Sequence, residues 1–255
     1  MMKRTRVARV TIGPGASGFS RLAAVGDCHW GAATCDEEHF RNTLKFLLEK
    51  KIPVLFMGDL LECATRYSVG SGVYEQSKML QEQMEEMVEM IKPLVEAGLV
   101  IGLLDGNHEQ RAYKEVGINP TKLMCQILGV RYLGYTGRLL IRCGDVTYTA
   151  FVTHGKSNAK KTVTKLNAAT NATTHQIVDL VLYAHTHGLD NTSIPMMFID
   201  KRNKNVITER KHIVLTGSFL KYENSYAEDM GLEPAKNGYP IIKLGSKEKE
   251  IFISS

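Results

Sequence analysis

Side chains that can bind metals or move protons lie directly after the predicted strands of this sequence. Five short apolar runs are typical of buried strands, and aspartate, histidine or asparagine follows each of them. In open α/β sheets, ligands bind beyond the carboxyl ends of the strands. We therefore expect these side chains to share one crevice. They are Asp27, His29, Asp59, Asn107, His108, His154, His185 and His187.

These residue types indicate metal chemistry. Carboxylate and imidazole donors without a thiolate cluster suit Mn²⁺, Zn²⁺ or Fe rather than a soft-metal site. The pairs Asp27-x-His29 and His185-x-His187 each place two donors on one loop. Seven candidate ligands are too many for one tetrahedral ion, but they suit two ions that share a carboxylate. Two ions roughly 3.5–4 Å apart can clamp both oxygens of a phosphoryl displacement and lower the pKa of bound water.

In their order along the chain, these residues resemble the motifs of the calcineurin-like metallophosphoesterase superfamily. Each string alone is common, whereas all five in the family's order, each at a strand end, form a specific pattern. The resemblance implies an α/β fold, namely a two-sheet αββα sandwich of the metallophosphoesterase type. The matching strings are Asp27-x-His29, Gly58-Asp59, Gly106-Asn107-His108-Glu109, His154-Gly155 and His185-x-His187.

The resemblance also implies a role for each residue. Two divalent ions are expected; Mn²⁺ is the expected metal, and Fe or Zn²⁺ would use the same donors. His108 would not bind metal but would lie over the scissile phosphate and protonate the leaving oxygen, a task that suits imidazole near neutral pH. The implied ligands are Asp27, His29, Asp59 and His187 for one ion, and Asp59, Asn107, His154 and His185 for the other, with Asp59 bridging.

The sequence departs from the serine/threonine protein phosphatases after Asp59. The segment 58–62 lacks their Asp-Arg-Gly continuation, and with it the arginine expected to clamp a phosphomonoester. The leading hypothesis is therefore phosphodiester hydrolysis by a DNA exonuclease or endonuclease, similar to the DNA-repair exonucleases of the superfamily. The stretch Tyr222–Gly238 resembles phage-encoded members. The alternatives are a phosphomonoesterase, a small-nucleotide phosphodiesterase, or a non-catalytic scaffold that binds a partner.

A basic stretch follows the fourth motif. We interpret Lys156, Lys160 and Lys161 as candidate substrate-binding residues, because cationic side chains supply sequence-independent affinity for nucleic acid. The alternative interpretation is a polar, solvated surface loop. The whole chain carries 32 basic and 27 acidic residues, a formal net charge of +5. This mild excess is compatible with a DNA partner but does not require one. The sequence does not decide whether two chains form a homodimer.

The elements that must position these residues alternate in the first half of the chain. Strands at Leu22–Val25, Ile52–Met57 and Leu99–Leu104, separated by helical patterns, predict βαβ crossovers and a parallel sheet. A capping box at Thr34-x-x-Glu37 predicts the start of the first helix, and Ser71–Ala97 predicts the second. Glycines before three ligand motifs are expected to make sharp turns with positive φ. They are Gly26, Gly58 and Gly106.

The second half predicts a mostly antiparallel sheet of short strands. Tyr132–Arg142 and Val146–Thr153 should form a hairpin around Gly144-Asp145. A short helix is expected from Asn119-Pro120 to Leu128. The further strand candidates are Ile177–Ala184, Met197–Asp200, Asn205–Thr208, Ile213–Thr216, Pro240–Leu244 and Glu250–Ser254.

Length and composition predict the number of domains and the class of protein. The 255 residues, 44% of them hydrophobic, predict one metallophosphoesterase domain over 1–255, with 1–20 as an N-terminal arm or edge strand. No apolar run approaches the ~20 residues of a membrane span, and no signal peptide is expected. Five widely spaced cysteines, an odd number, argue against a disulfide framework and favour a cytoplasmic location.

Overall fold

The strands of this protein form two facing sheets. The computed structural model describes residues 7–15, 17–65, 68, 74, 76–223, 228, 233–234 and 236–254. In chain order the strands are β1 (Ala8–Ile12), β2 (Phe19–Val25), β3 (Val54–Phe56), β4 (Val100–Leu104), β5 (Tyr132–Gly134), β6 (Thr136–Cys143), β7 (Val146–Thr153), β8 (Leu180–Tyr183), β9 (Leu189–Asp200), β10 (Asn205–Thr216), β11 (Ile241–Gly245) and β12 (Ile251–Ser254). The two sheet orders are β1-β6-β7-β8-β10-β9 and β12-β11-β2-β3-β4-β5.

Helices cover both outer faces of this pair of sheets. The helices are α1 (Glu37–Glu49), α2 (Leu80–Glu96), α3 (Asn107–Val116), α4 (Pro120–Leu128) and α5 (Thr162–Ala172). Helices α1, α2 and α4 pack on the β2-β3-β4 side, whereas α5 packs on the other sheet. The predicted αββα sandwich is therefore confirmed, and so is the parallel arrangement of β2, β3 and β4.

Side chains in strand β3 and in the residue after it point alternately to the two faces of the sheet, and this divides the core into two layers. Leu55 and Met57 point into the space between the sheets, whereas Val54 and Phe56 face α1 and α2. All four side chains are fully buried. Because side chains alternate between the two faces of a strand, a strand covered on both faces needs this continuous apolar run. The same run brings Asp59, three residues after Phe56, to the edge of the sheet.

Two helix predictions need correction. Helix α1 does not begin with the predicted capping box at Thr34; its N-cap is Asp36, whose carboxylate accepts a hydrogen bond from the His39 amide (3.3 Å). The basic stretch after His154, for which a surface loop was the alternative interpretation, leads directly into helix α5. Its first free amide, at Thr162, donates to Glu233 (3.0 Å), and Ala169 is fully buried against the sheet. The cap of α1 is a local contact, whereas the start of α5 depends on a residue 71 positions away.

The sheet that holds β6 to β10 also differs from its prediction. Three of its five pairings are parallel, namely β1–β6, β7–β8 and β8–β10. The three short strands expected between 197 and 216 are parts of one hairpin, in which β9 and β10 have 12 residues each. Polar residues and Pro195 interrupt the apolar pattern of β9. The strand tolerates this proline because it lies at the sheet edge.

The remaining predicted elements are placed as follows. The hairpin around Gly144-Asp145 and the helix from Pro120 to Leu128 are confirmed. Strand β1 lies at an edge of its sheet, as expected for part of the first 20 residues. The second helix begins only at Leu80, and residues 71–73 and 75 of its predicted range lie outside the described residues. So does most of Tyr222–Gly238. No helix in the described ranges combines the length and hydropathy needed to cross a membrane.

Tyr148 joins the two sheets at the end opposite the motifs. Its hydroxyl donates to the Gly245 carbonyl (2.9 Å) and accepts from the Glu250 amide (3.1 Å), and the ring is fully buried. We expect Tyr148→Phe to lower the free energy of unfolding by about 1–2 kcal/mol, because buried polar groups lose their partner. Urea unfolding measures this loss. The exposed Tyr113→Phe serves as the control, and equal stability of both variants would contradict this role of Tyr148.

Candidate metal centre

The predicted ligands lie at the carboxyl ends of five strands, and several adopt an uncommon backbone conformation. Of the eight non-glycine residues with positive φ in the described part of the chain, five are predicted ligands. Such left-handed conformations cost about 1–3 kcal/mol each and persist where the surrounding structure imposes them, typically at functional sites. Their φ values lie between 46° and 68°. The five are Asp27, His29, Asp59, His185 and His187.

The glycines before the motifs serve close packing more than turn geometry. Gly58 has the expected positive φ (89°), but Gly106 has φ −106°. A Cβ on Gly106 would lie 2.0 Å from Oδ1 of Asp59, and one on Gly26 would lie 2.7 Å from Cβ of Met57. The expectation of positive φ is therefore right for one of the three. The glycines let neighbouring strand ends approach each other.

One group of ligand atoms combines the first motif with the last. Nε2 of His29 lies 3.2 Å from Nε2 of His187, and Nε2 of His187 lies 3.4 Å from Oδ1 of Asp27. Within the described part of the chain, this buried Asp27 oxygen accepts no hydrogen bond. A buried carboxylate oxygen without a donor is costly, and two imidazole nitrogens that face each other and an anion are the donor set for a divalent cation. The group contains three of the four ligands implied for one ion, and the fourth is Asp59.

A second group combines the middle motifs. Nδ1 of His154 donates to the Met57 carbonyl (3.0 Å), which fixes the ring and leaves Nε2 as the metal-facing nitrogen. That nitrogen lies 3.0 Å from Oδ1 of Asn107 and 3.2 Å from Oδ2 of Asp59. Nδ1 of His185 lies 2.7 Å from the same Asn107 oxygen. Ring nitrogens of two histidines thus lie close to oxygens of Asn107 and Asp59. These atoms together form a donor set that fits a second cation.

Asp59 lies between the two groups. Its Oδ2 is 3.2 Å from Nε2 of His154 and 3.9 Å from Nε2 of His29, so one oxygen is near both ligand sets. Its other oxygen, Oδ1, accepts a hydrogen bond from the His108 amide (2.8 Å). Burial raises the pKa of Asp59, but the His154 and His108 charges outweigh it and hold the pKa well below its usual range. An ionised carboxylate in this place can bridge two cations.

His108 is oriented toward the cluster by contacts on its other side. Its Nδ1 donates to the Glu62 carbonyl (2.8 Å), so Nε2 points to the cluster, 3.9 Å from Oδ2 of Asp59. Nη2 of Arg111 lies 2.7 Å from the same Nε2. Helix α3 thus places a guanidinium beside Nε2 of His108, although the segment 58–62 holds no arginine. Arg111 was not predicted from the sequence, although its position three residues after His108 places both on one helix face.

Glu62 supports two histidines at once and was also missed. Its Oε2 lies 3.0 Å from Nδ1 of His29 and 3.3 Å from Nδ1 of His108. Partners of this kind orient ligands and typically change metal affinity or activity by about 10–100-fold when mutated. We expect Glu62→Gln to lower kcat and Mn²⁺ affinity by this amount. Kinetics and metal titration measure it, with exposed Glu85→Gln as control; a change below about twofold would contradict the positioning role.

Glu109 shapes the loop that carries Asp59. Its carboxylate is fully buried and accepts hydrogen bonds from four backbone amides. Burial and the nearby Asp59 charge raise the pKa of Glu109 to about 7, although the amide bonds favour the charged form. This role of Glu109 was not predicted from the sequence, where the residue is only the last position of the third motif. The four amides belong to Asp59 (3.1 Å), Leu60 (2.7 Å), Leu61 (3.0 Å) and Gly106 (2.9 Å).

The three predicted substrate lysines are not part of the cluster. Lys156, Lys160 and Lys161 are exposed, and in the described ranges none of their ammonium groups contacts a metal-ligand candidate. The backbone of Lys156 is held by Tyr183, whose hydroxyl accepts from the Lys156 amide (2.9 Å). The lysines therefore lie at the surface after His154 and outside the cluster.

Comparison with known proteins gives two similar solved structures and one matching family. A Vps29 single mutant from Entamoeba histolytica is 14% identical, with 91% of each chain covered and a TM-score of 0.45. A predicted phosphoesterase from Streptococcus pneumoniae is 11% identical over 92% of this chain and 88% of that one, with a TM-score of 0.40. No curated protein matches. The family model described as calcineurin-like phosphoesterase matches residues 20–189. That range includes all seven ligand candidates and His108, and the chain belongs to the calcineurin-like phosphoesterase family.

Proposed function

We propose that this protein hydrolyses phosphodiesters with two divalent cations held between its strand ends. The observation that carries the proposal is the convergence of two donor sets on Oδ2 of Asp59. The donors are nitrogen and oxygen atoms, which suit Mn²⁺ and equally Fe or Zn²⁺. When bound, such cations supply charge stabilisation at the phosphoryl oxygens and an acidified water. Asp27, His29, Asp59 and His187 would hold one ion, and Asp59, Asn107, His154 and His185 the other.

His108 would protonate the leaving oxygen. Its Nδ1 is engaged with the Glu62 carbonyl, so only Nε2 is directed to the reacting phosphate. Burial lowers the pKa of His108, but the charges of Asp59 and Glu62 outweigh it and raise the pKa to about 9. In the conformation described, Nε2 faces the Arg111 guanidinium, which can only donate, so His108 would deliver a proton from Nε2 only when Arg111 pairs with the phosphate instead.

We propose DNA as the substrate, acted on in the cytoplasm. The support is the exposed lysines that follow His154 in the sequence, the net charge of +5, and five free cysteines. A second candidate is a phosphomonoesterase, because Arg111 places a guanidinium beside Nε2 of His108. A guanidinium can pair with two of the three terminal oxygens of a phosphomonoester. The absence of an arginine after Asp59 therefore does not argue against this candidate.

A substrate panel with Mn²⁺ tests the proposal. The panel contains a bis-aryl phosphodiester, an aryl monoester, and labelled single-stranded and double-stranded DNA. We expect diester and DNA cleavage to exceed monoester turnover, and we expect His108→Ala to reduce all of them without changing metal content. Monoester turnover without DNA cleavage would replace the nuclease proposal by the second candidate. No turnover of any substrate by metal-loaded protein would favour a scaffold that binds a partner.

A further inference from the structure

The backbone segment 154–156, which begins with the ligand candidate His154, lies outside every helix and strand. It follows the end of β7 and precedes α5. His154 and Gly155 are buried, and buried backbone N–H and C=O groups are normally hydrogen-bonded. Gly155 also has φ 82°, in the left-handed region. The contacts that hold this segment therefore decide where Nε2 of His154 lies.

Tyr183, on the neighbouring strand β8, holds the end of this segment. Its hydroxyl accepts from the Lys156 amide and donates to the Lys156 carbonyl, both at 2.9 Å. Its ring lies directly against Gly155, where an added Cβ would be 2.5 Å from Cζ of the tyrosine. Tyr183 is itself buried. One side chain thus fixes the segment by two hydrogen bonds and by a packing contact that only glycine allows.

Tyr135, between β5 and β6, holds the beginning of the same segment. Its backbone carbonyl accepts from the His154 amide (3.2 Å), and its hydroxyl donates to the Gly155 carbonyl. The Tyr135 and His154 rings also meet edge to face, with their centroids 5.5 Å apart. Since Nδ1 of His154 donates to the Met57 carbonyl, both the backbone and the ring of this ligand candidate are fixed.

The ligand group of the other ion is held by different residues. Nδ1 of His29 lies 3.0 Å from Oε2 of Glu62, and Oδ2 of Asp27 accepts from the His185 amide (3.0 Å). In the described part of the chain, neither tyrosine makes a hydrogen bond or a ring contact to His29, Asp27 or His187. The two ligand groups therefore depend on separate supports.

We propose that Tyr135 and Tyr183 are positioning residues that set the affinity for the ion of the second ligand group through His154. The proposal rests on the proposed two-cation centre and deepens it. Neither tyrosine would contact the ion, because both hydroxyls are engaged with the backbone of segment 154–156. Partners that orient a ligand typically change metal affinity by about 10–100-fold when they are mutated. Loss of either hydroxyl should therefore weaken one metal position and spare the other.

Titration of metal-free protein with Mn²⁺, followed by calorimetry, tests this role. Tyr135→Phe and Tyr183→Phe each keep the ring and remove only the hydroxyl. We expect the wild type to bind two ions, and each variant to bind one of them at least about tenfold more weakly and the other within about twofold of wild type. Two Mn²⁺ ions that share a carboxylate are magnetically coupled, so EPR spectroscopy distinguishes paired from single ions. At an Mn²⁺ concentration that fills both positions of the wild type, each variant should show single ions.

Tyr148→Phe is the matched control. It also removes the hydroxyl of a buried tyrosine, but at the opposite end of the sheets. It should lower stability and leave both Mn²⁺ affinities unchanged. If Tyr148→Phe weakened Mn²⁺ binding as much as Tyr183→Phe, the effect would come from general destabilisation and the positioning role would be overturned. Equal weakening of both metal positions by the Tyr135 and Tyr183 variants, or no weakening of either, would overturn it as well.

Failure of the proposed function gives a different result. If the wild type binds a single Mn²⁺ ion and both tyrosine variants weaken it at least about tenfold, the two-cation centre fails and the positioning role stands. If the wild type binds two ions and both variants bind them with wild-type affinity, the two-cation centre stands and the positioning role fails.

Discussion

Asp59→Asn is expected to lower kcat on the order of 10³-fold or more, beyond the effect typical of outer-shell partners. Oδ2 of Asp59 lies near both ligand sets, so its loss weakens both metal positions. Asparagine keeps an oxygen to accept the His108 amide, so the fold should survive. Steady-state kinetics and metal content measure the effect. The control is Asp145→Asn in an exposed turn.

The kinetics and metal content of Asp59→Asn distinguish a carboxylate that bridges two ions from one that binds a single ion or only caps a turn. If Asp59 held only one ion, Asp59→Asn would keep the other at full affinity. If Asp59 were a turn-capping residue, turnover within about tenfold of wild type would result, since a neutral hydrogen bond contributes about 0.5–1.5 kcal/mol. Either finding would contradict the shared carboxylate.

Glu109→Ala is expected to have the largest effect on stability. The substitution leaves four buried amides without an acceptor, and each costs about 1–3 kcal/mol. Domains of this kind are stable by only about 5–15 kcal/mol. We therefore expect Glu109→Ala to lose at least about 4 kcal/mol or to fail to fold. Urea unfolding of metal-free protein measures the loss.

A conservative variant keeps this prediction testable if the alanine variant does not fold. Glu109→Gln retains one oxygen for the Leu60 and Leu61 amides but turns an NH₂ group toward the others. The free energy of unfolding of Glu109→Gln should lie between those of the wild type and of Glu109→Ala. Glu115→Ala, on the exposed side of the same helix, should lose less than about 1 kcal/mol. Equal stability of the Glu109 and Glu115 variants would contradict the role of Glu109 in shaping the loop.

The convergence of the ligand candidates could be predicted because it follows from topology. Parallel strands end at one edge of a sheet, so polar residues that directly follow β2, β3 and β4 must lie near each other. The buried strands themselves were readable as apolar runs. Asp27, Asp59 and Asn107 therefore needed no more than correct strand assignment.

The residues that support these ligands could not be predicted in the same way. Glu109 acts through amides that lie up to 50 positions away, and Glu62 contacts His29 across 33 positions. The function of these residues depends on which loops contact each other in the fold, and the local sequence pattern does not predict those contacts. The length of β9 was missed because the strand is polar and contains Pro195.

The most direct test of the account is the crystal structure of Mn²⁺-soaked protein, with anomalous scattering used to locate the metal. We expect two peaks per chain, roughly 3.5–4 Å apart, with the Asp59 carboxylate between them. One peak should lie among Asp27, His29 and His187, and the other among His154, His185 and Asn107. A single peak, or none within reach of Asp59, would contradict the two-cation centre.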